Sequence, residues 1–235
     1  MRLKRIQERG IEILDQPGLD ADELRRSLLD VARLNRWFGG TRAVADLILR
    51  LAAARTLSGA ISVLDVGCGG GDILRSVTRW GARSGLRVCG VGCDLNAQVL
   101  AVAAGLSDSC HGIGLVNADG VRPPFRAGSF DFVTCSLLLH HLSPEGAVAL
   151  LGALRPLARH ALIVNDLERN RAAWAGVWLA TRLVCRSPWT RHDGPLSVRR
   201  AYTLEELRAF GERAGCAGMR WWRGPLFRIS GVLEM

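Results

Sequence analysis

A glycine-rich turn that ends in an acid is the part of the sequence that says most about chemistry. The turn follows an apolar stretch and reads Val63-Leu64-Asp65-Val66-Gly67-Cys68-Gly69-Gly70-Gly71-Asp72. Glycines between a strand and a helix let the backbone approach a nucleotide closely. In the dinucleotide register G-x-G-x-x-G, however, the third glycine falls at the position of Asp72. A carboxylate there repels a pyrophosphate and favours a ligand that carries an ammonium and a sulfonium.

Two more aspartates follow the next predicted strands. Asp94 ends the strand that includes Val88 to Cys93, and Asp119 follows the third strand in Asn117-Ala118-Asp119-Gly120. Taken alone, Asp94 is also a helix N-cap candidate and Asp119 a turn residue. Ligands of parallel α/β sheets bind at the carboxyl ends of the strands, so we expect both acids to lie beside the glycine turn. The combination favours S-adenosylmethionine (SAM), which carries both cationic groups.

Two pairs of residues are candidates for a general base. His140 and His141 come directly after the predicted fourth strand, and His192-Asp193 lies in a predicted loop at 187–197. A positioned base of this kind accelerates proton removal from a phenol or an acidic carbon. Arg199 and Arg200 are candidates for orienting an anionic acceptor. The alternatives are that one histidine of the first pair packs or orients the cofactor, and that the loop is a solvated basic segment.

The order of predicted elements indicates the fold. Apolar spacing predicts helices at 21–36 and 41–57, and then strands that alternate with helices. The strands are predicted at 61–66, 86–93, 113–118, 130–135 and 160–165, followed by a helix at 203–214 and a hairpin of 219–223 with 226–233. This order predicts an α/β protein with a Rossmann-like, doubly wound, seven-stranded and mostly parallel sheet, an antiparallel C-terminal hairpin strand and a helical cap.

Two segments outside the alternation are predicted to cover the ligand site. We divide the chain into an N-terminal helical cap at 1–57 and a domain at 58–235, with a lid insertion at about 167–200. The acceptor is expected to contact aromatic and polar side chains of these parts. They are Trp37, Phe38, Asn165, Trp174, Trp178 and Arg199. The alternative for the aromatic stripe is ordinary core packing.

Composition limits the classes of function. The chain has 235 residues and a net charge of +9, but Lys4 is its only lysine and arginines are spread over nearly every segment, so we do not infer a nucleic-acid partner. The start from Met1 to Arg5 has no apolar signal stretch, and no apolar run is long enough to span a membrane, which predicts a cytoplasmic protein. Seven cysteines without a C-x-x-C pair predict reduced thiols and no metal site.

Over residues 41–235 the chain resembles the class I SAM-dependent methyltransferases, on the motif Asp65-x-Gly67-x-Gly69-x-Gly71 and the order of elements. The resemblance implies SAM as cofactor and S-adenosylhomocysteine as product. The three glycines would shape the turn around the methionine part, and Asp65 and Asp72 would face its amino group. Asp94 would bind the ribose hydroxyls and Asp119 the adenine amino group. The cofactor site implied by the resemblance also includes Leu95, Gly120 and Ser136.

The segment after the fourth strand favours a small acceptor. Methyltransferases of nucleic-acid bases commonly carry an Asn/Asp-Pro-Pro-aromatic motif there, and those of protein arginines need paired glutamates. This chain has Ser136-Leu137-Leu138-Leu139 instead. Together with the aromatic lid, this favours a phenol, quinone or polyketide, with O-methylation ahead of C-methylation. The chain looks similar to bacterial methyltransferases of secondary-metabolite and quinone pathways.

Two other classes of function remain open. One is a non-catalytic SAM-binding regulator, which would keep the cofactor acids but need no base. The other is a peripheral membrane methyltransferase that acts on a lipid or isoprenoid through an interfacial helix at 169–186, which carries both tryptophans and arginines.

Overall fold

A computed structural model describes residues 10–108 and 110–235. The first nine residues of the predicted cap, which include the start from Met1 to Arg5, lie outside the described residues. The helices are α1 (Ala21–Trp37), α2 (Gly40–Ala54), α3 (Asp72–Arg83), α4 (Ala97–Ser107), α5 (Pro144–Leu154), α6 (Arg171–Val184), α7 (Pro188–Arg200) and α8 (Leu204–Arg213). The strands are β1 (Ala60–Val66), β2 (Arg87–Asp94), β3 (Ile113–Asn117), β4 (Phe130–Ser136), β5 (Ala158–Leu167), β6 (Arg220–Gly224) and β7 (Arg228–Glu234).

The strands form one seven-stranded sheet in the order β3-β2-β1-β4-β5-β7-β6. Neighbours among β1 to β5 are parallel, and β7 runs antiparallel to both β5 and β6. The predicted fold class is therefore confirmed. Within the hairpin, β7 lies inside the sheet and β6 forms its edge. At the central strands Val66 is level with both Cys93 and Cys135, so the segments that follow β1, β2 and β4 leave the sheet side by side.

Helices cover both faces of the sheet. On one face, α5 and α8 pack Leu151 and Leu207 against strand residues such as Val133. On the other, α2 and α3 pack Ile48 and Leu74 against their own set of strand residues. Helix α2 thus belongs to the layered core, which differs from the predicted two-helix cap. Its apolar face, with Val44, Ala45, Ile48 and Ala52 all buried, explains why. The division of the chain at residue 57 stays a prediction.

The insertion after β5 consists of two helices, so the loop predicted at 187–197 is wrong. Ser187 caps α7 through the backbone N–H of Trp189, and Pro188 occupies the first turn, where a missing N–H costs nothing. Gly194 and Pro195 suggested a turn in the sequence. In the structure Gly194 instead packs closely against Thr181 of α6, where a Cβ would meet the Thr181 methyl carbon at 2.8 Å.

Helix α1 is fastened to the start of α7 by a buried acid. The Asp30 carboxylate accepts the backbone N–H groups of Arg186 and Ser187 at 2.7 and 2.8 Å. Nearby, the hydroxyls of Ser27 and Thr190 lie 2.9 Å apart. These contacts hold α1 and α7 together. Within the described ranges, no helix is long and apolar enough to span a membrane.

Replacing Asp30 by Ala should lower the free energy of unfolding by roughly 2–4 kcal/mol, because a buried and a part-buried backbone N–H group lose their acceptor. Urea denaturation followed by circular dichroism measures the change. The matched control is Asp46→Ala, which removes a half-exposed helix pair with Arg42 and should change stability by less than about 0.5 kcal/mol. Equal losses in the two variants would contradict the assigned role of Asp30.

Candidate functional site

A cavity of about 700 Å³ lies where the parallel strands end. It brings together nearly all of the predicted cofactor residues. They are Asp65, Gly67, Gly69, Asp72, Asp94, Leu95, Asp119, Gly120 and Ser136. Gly71 is absent from the lining but shapes the turn from behind, as the left-handed residue that precedes α3. The sequence therefore identified one contiguous surface.

The glycine turn is held in shape by its neighbours. Gly67 has a φ of +68°, and a Cβ at this position would lie 2.7 Å from the Leu138 side chain, so both the backbone angle and the space require glycine. Two residues later, the N–H of Gly69 donates to Asp94 Oδ2 at 3.0 Å. The turn and the acid at the end of β2 thus position each other.

Asp65 is the most deeply buried acid of the cavity. Its side chain accepts a hydrogen bond from Thr134 Oγ1 at 2.7 Å. Burial, aided by the charges of Asp72 and Asp94, raises the pKa of Asp65 to about 7, and the Thr134 hydrogen bond opposes this shift. Near neutral pH this carboxyl is half ionised, and a cation placed beside it would complete its ionisation.

Asp72 connects the turn to the first two helices. Its Oδ2 accepts from Asn35 Nδ2 at 2.8 Å and from Thr41 Oγ1 at 2.9 Å. The carboxylate also sits at the N-terminus of α3, where the helix dipole favours negative charge. The structure therefore gives Asp72 a positioning task in addition to its place in the cavity lining.

Three other polar side chains of the larger cavity have hydrogen-bonding capacity left for a ligand. Asp94 Oδ1 accepts the N–H of Asn96 at 3.0 Å, and Asp119 Oδ1 accepts that of Val121 at 2.9 Å. Each carboxylate has acceptor sites left over. The Ser136 hydroxyl is buried without a hydrogen-bond partner among the described residues. This donor and acceptor set suits a ligand with hydroxyl and amino groups.

A second, smaller cavity of about 150 Å³ adjoins the first. The two share lining residues Leu14, Val31, Asn35, Leu137 and His141. Apolar side chains dominate the smaller one, among them the predicted Phe38. Its polar residues include Glu12, His140, Asp193 and Arg228. One apolar compartment thus opens beside a polar one.

His140 is buried and oriented by an acid. Its Nδ1 lies 2.6 Å from Asp166 Oδ1, and Asp166 also accepts the backbone N–H groups of Leu139 and Leu167. Burial alone would raise the pKa of Asp166, but its pairing with His140 outweighs this and lowers it. The ionised Asp166 orients the imidazole through Nδ1, and Nε2 on the other side of the ring lies 3.9 Å from Glu12 Oε1.

His141, the neighbouring residue, has different partners. Its Nδ1 lies 2.9 Å from Asp15 Oδ1, and its Nε2 lies 3.8 Å from Glu12 Oε2. Burial lowers the pKa of His141, but the Glu12 and Asp15 carboxylates outweigh it and raise the pKa to about 9. The imidazole is therefore protonated at neutral pH and has no free lone pair for a substrate proton.

Glu12, His140 and His141 bring three potential metal-ligating atoms within 4.8 Å of one another. A cation is disfavoured there, because Arg200 Nη1 lies 3.7 Å from Glu12 Oε1 and 3.1 Å from Asp15 Oδ2. The protonated His141 adds a second positive charge. The cluster is accounted for as a network of ion pairs.

Several predicted site residues do not reach either cavity. Trp37 and Trp178 are 53% and 40% exposed, and Arg182 stacks on the Trp178 ring. Trp174 is half-buried in α6 outside both linings. Asn165 is buried within the sheet, where its Nδ2 donates to Ser230 Oγ. Contrary to the prediction, the structure therefore does not place these four residues in contact with an acceptor.

The structure also does not support the His192–Asp193 pair as the general base. The His192 side chain is 56% exposed and outside both cavity linings, because α7 turns it outward, and Arg199 is exposed on the same helix. Asp193 does line the smaller cavity. Its carboxylate already accepts the N–H groups of Ile13 and Leu14 and contacts His192 Nδ1.

The sequence analysis missed three charged residues of the site: Glu12, Asp15 and Arg228. The first two lie in a segment without helix or strand periodicity, which Asp193 fastens over the cavities. Arg228 begins a strand that was predicted only as part of a hairpin. Because arginines are spread over nearly every segment, the sequence carries no signal that singles out Arg228.

Comparison with known proteins defines the class. Residues 63–160 match a family model described as a methyltransferase domain. Together with the fold and the glycine turn, this match supports a class I SAM-dependent methyltransferase. The ubiquinone biosynthesis O-methyltransferase of Cronobacter sakazakii is 32% identical over 142 residues, which are 58% of this chain and 55% of that protein.

A second relative and a solved structure extend the comparison. The ubiquinone biosynthesis O-methyltransferase of Xanthomonas axonopodis pv. citri is 29% identical over 174 residues, 66% of each chain. The chain thus spans between about half and two thirds of these two curated relatives. An O-methyltransferase family 2 protein from Planctomyces limnophilus, solved with apigenin, superposes with a TM-score of 0.62 at 20% identity. The alignment covers 94% of this chain and 63% of that one, and shows the shared fold.

The pairing of His141 predicts a pH-dependent stability. The folded-state pKa of about 9 exceeds the ordinary value near 6.5, so the stabilisation is complete below pH of about 6.5 and is lost as pH rises through about 9. The gap in unfolding free energy between the native protein and His141→Gln should therefore shrink by about 2–3 kcal/mol between pH 6 and pH 10. Urea titrations at both pH values measure it.

Ser58→Ala provides the control for this measurement, because it alters an exposed side chain and removes no titratable group. The gap between the native protein and Ser58→Ala should stay constant over the same range. A His141 gap that also stays constant would contradict the ion pairs assigned to this side chain.

Proposed function

We propose that this protein transfers the methyl group of SAM to a hydroxyl group of a small aromatic acceptor. The observation that carries the proposal is the pair of adjoining cavities, one lined by the glycine turn and acids and the other apolar with a buried His140–Asp166 pair. The names of the two ubiquinone relatives support an oxygen acceptor. Phenols, quinones and polyketides of secondary metabolism remain in this class.

The larger cavity fits the cofactor. Asp65 offers a buried carboxylate to the ammonium, Asp94 offers acceptor sites to ribose hydroxyls, and Asp119 to the adenine amino group. The unpartnered Ser136 hydroxyl supports the presence of a polar ligand, because a buried hydroxyl without a partner is costly. When bound, SAM supplies an electrophilic methyl group on a sulfonium.

The chain itself contributes alignment, exclusion of water and a base. Holding two reactants in line is worth up to roughly 7–11 kcal/mol, and the apolar walls around Leu137 and Phe38 keep water from the shared boundary. His140 Nε2 takes the proton of the acceptor hydroxyl, and the ionised Asp166 stabilises the imidazolium that results. His141 is excluded from this role because it is already protonated.

An enzyme is favoured over a SAM-binding regulator, since a regulator has no use for an oriented histidine in an apolar compartment. The partner is then a small molecule. The seven free cysteines support a reducing compartment such as the cytoplasm.

The test is a methyl-transfer screen with the full chain, SAM and a set of phenols, hydroxyquinones and polyketide intermediates, read by mass spectrometry. We expect at least one acceptor to gain a methyl group on oxygen while S-adenosylhomocysteine accumulates in equal amount. SAM binding in calorimetry without turnover on any acceptor would favour the regulator.

The raised pKa of Asp65 predicts how SAM affinity depends on pH. Below pH of about 7 the free protein must release the Asp65 proton before it can pair with an ammonium. SAM should therefore bind roughly tenfold more tightly at pH 7 than at pH 5.5, as measured by calorimetry. Asp65→Asn should remove most of this dependence. Asp131→Asn, a change outside both cavities, should keep it.

Loss of the proposed base should affect turnover and spare cofactor binding. His140→Gln should lower kcat by roughly 10²–10⁴-fold, while the Kd for SAM stays within about twofold. His160→Gln, which alters a histidine outside both cavities, is the matched control. A larger loss of kcat in His141→Gln than in His140→Gln would overturn the assignment of the base.

A further inference from the structure

Arg228 is a buried cation without an ionic partner. It is the first residue of β7 and is 5% exposed. Its Nε has no hydrogen-bond partner among the described residues, and the contact of its Nη1 with Asn165 Oδ1 is long at 3.5 Å. Within the same part of the chain, no carboxylate forms an ion pair with it, although arginines nearby in sequence, such as Arg223, do have such partners.

An unpaired buried charge is costly, so the absence of a partner requires an explanation. Burial lowers the pKa of Arg228 to about 10, against the attraction of Asp166 and Asp72, and the guanidinium stays charged at neutral pH. Neither acid is available as a direct partner. Asp166 is engaged by His140, and Asp72 by Asn35 and Thr41.

The side chain stands at the wall of the smaller cavity. Arg228 lines this cavity together with His140, Phe38 and the preceding residues Leu226 and Phe227. The guanidinium lies against Gly40, where a Cβ would be 3.1 Å from its central carbon. A cavity of about 150 Å³ is the size that holds one benzene ring.

The chain before Arg228 is held in an unusual conformation. Leu226 and Phe227 have φ values of +54° and +59°, a region that side-chain-bearing residues rarely adopt. Such backbone strain is concentrated at ligand sites, where the surrounding structure maintains it. Both side chains line the smaller cavity, so the strained turn forms the part of its wall that leads into Arg228.

We infer that Arg228 binds a carboxylate of the methyl acceptor, which makes the substrate a hydroxylated aromatic carboxylic acid. The inference rests on the proposed function. The planar guanidinium matches a carboxylate with two parallel N–H donors, and a buried site without water strengthens the pair. In the same cavity His140 receives the hydroxyl proton. Arg228 thereby selects the acceptor and fixes the direction in which its ring enters.

Benzoate tests this without turnover. Calorimetry on the full chain with saturating S-adenosylhomocysteine should show benzoate binding, and benzamide, which has the same shape without the charge, should bind at least tenfold more weakly. In Arg228→Met the affinity for benzoate should fall roughly 10- to 150-fold, the loss expected for hydrogen bonds to a charged group. Arg220→Met, which removes an exposed arginine of β6, is the matched control and should bind benzoate normally.

Other outcomes separate this role from a structural one. Equal binding of benzoate and benzamide by the native protein overturns the inference, whatever the variants do. An unchanged benzoate to benzamide ratio in Arg228→Met overturns it too. If Arg228→Met does not fold, Arg228→Lys should keep the preference for benzoate but bind it more weakly. The reason is that a single ammonium charge replaces the two parallel N–H donors of the guanidinium.

The result is also distinguishable from failure of the proposed function. Methylation of neutral phenols by a protein that does not prefer benzoate would leave the methyltransferase proposal intact and remove the carboxylate site. Arg228-dependent benzoate binding without methylation of any hydroxybenzoate would leave the site intact and remove the proposed reaction.

Discussion

The carboxylate of Asp72 is the contact on which the arrangement of the site depends. It joins the glycine turn to Asn35 of α1 and Thr41 at the start of α2. Helix α1 in turn is fastened through Asp30 to the start of α7. This series of hydrogen bonds fixes the helices against the ends of the strands. It thereby contributes to the position of the apolar cavity relative to the cofactor cavity.

The sequence predicted the sheet well because its signals are local. Apolar strands, the glycine turn and the acids at strand ends, such as Asp94, each follow from a few neighbouring residues. Helix α7 was missed because its Gly194-Pro195 pair signals a turn, and packing against α6 overrides that signal. Glu12 and Arg228 were missed for a related reason: their importance lies in what surrounds them after folding, and no local pattern encodes it.

The adjacent residues His140 and His141 also show this limit of prediction from sequence. As adjacent residues of one type they are equivalent in the sequence, but the structure gives one to Asp166 inside the fold and the other to Asp15 in a distant segment. The first partner orients the His140 ring through Nδ1, whereas the second, with Glu12, stabilises a cation at His141. Partner identity, set by tertiary contacts, therefore separates a candidate base from a structural charge.

The attachment of residues 13 and 14 to Asp193 has a consequence for ligand exchange. Leu14 lines both cavities, and two hydrogen bonds to one side chain hold this stretch of backbone in place. The cavities therefore share one wall, and any displacement of this wall alters both at once. Exchange of the cofactor and of the acceptor would then be coupled through the two hydrogen bonds to Asp193.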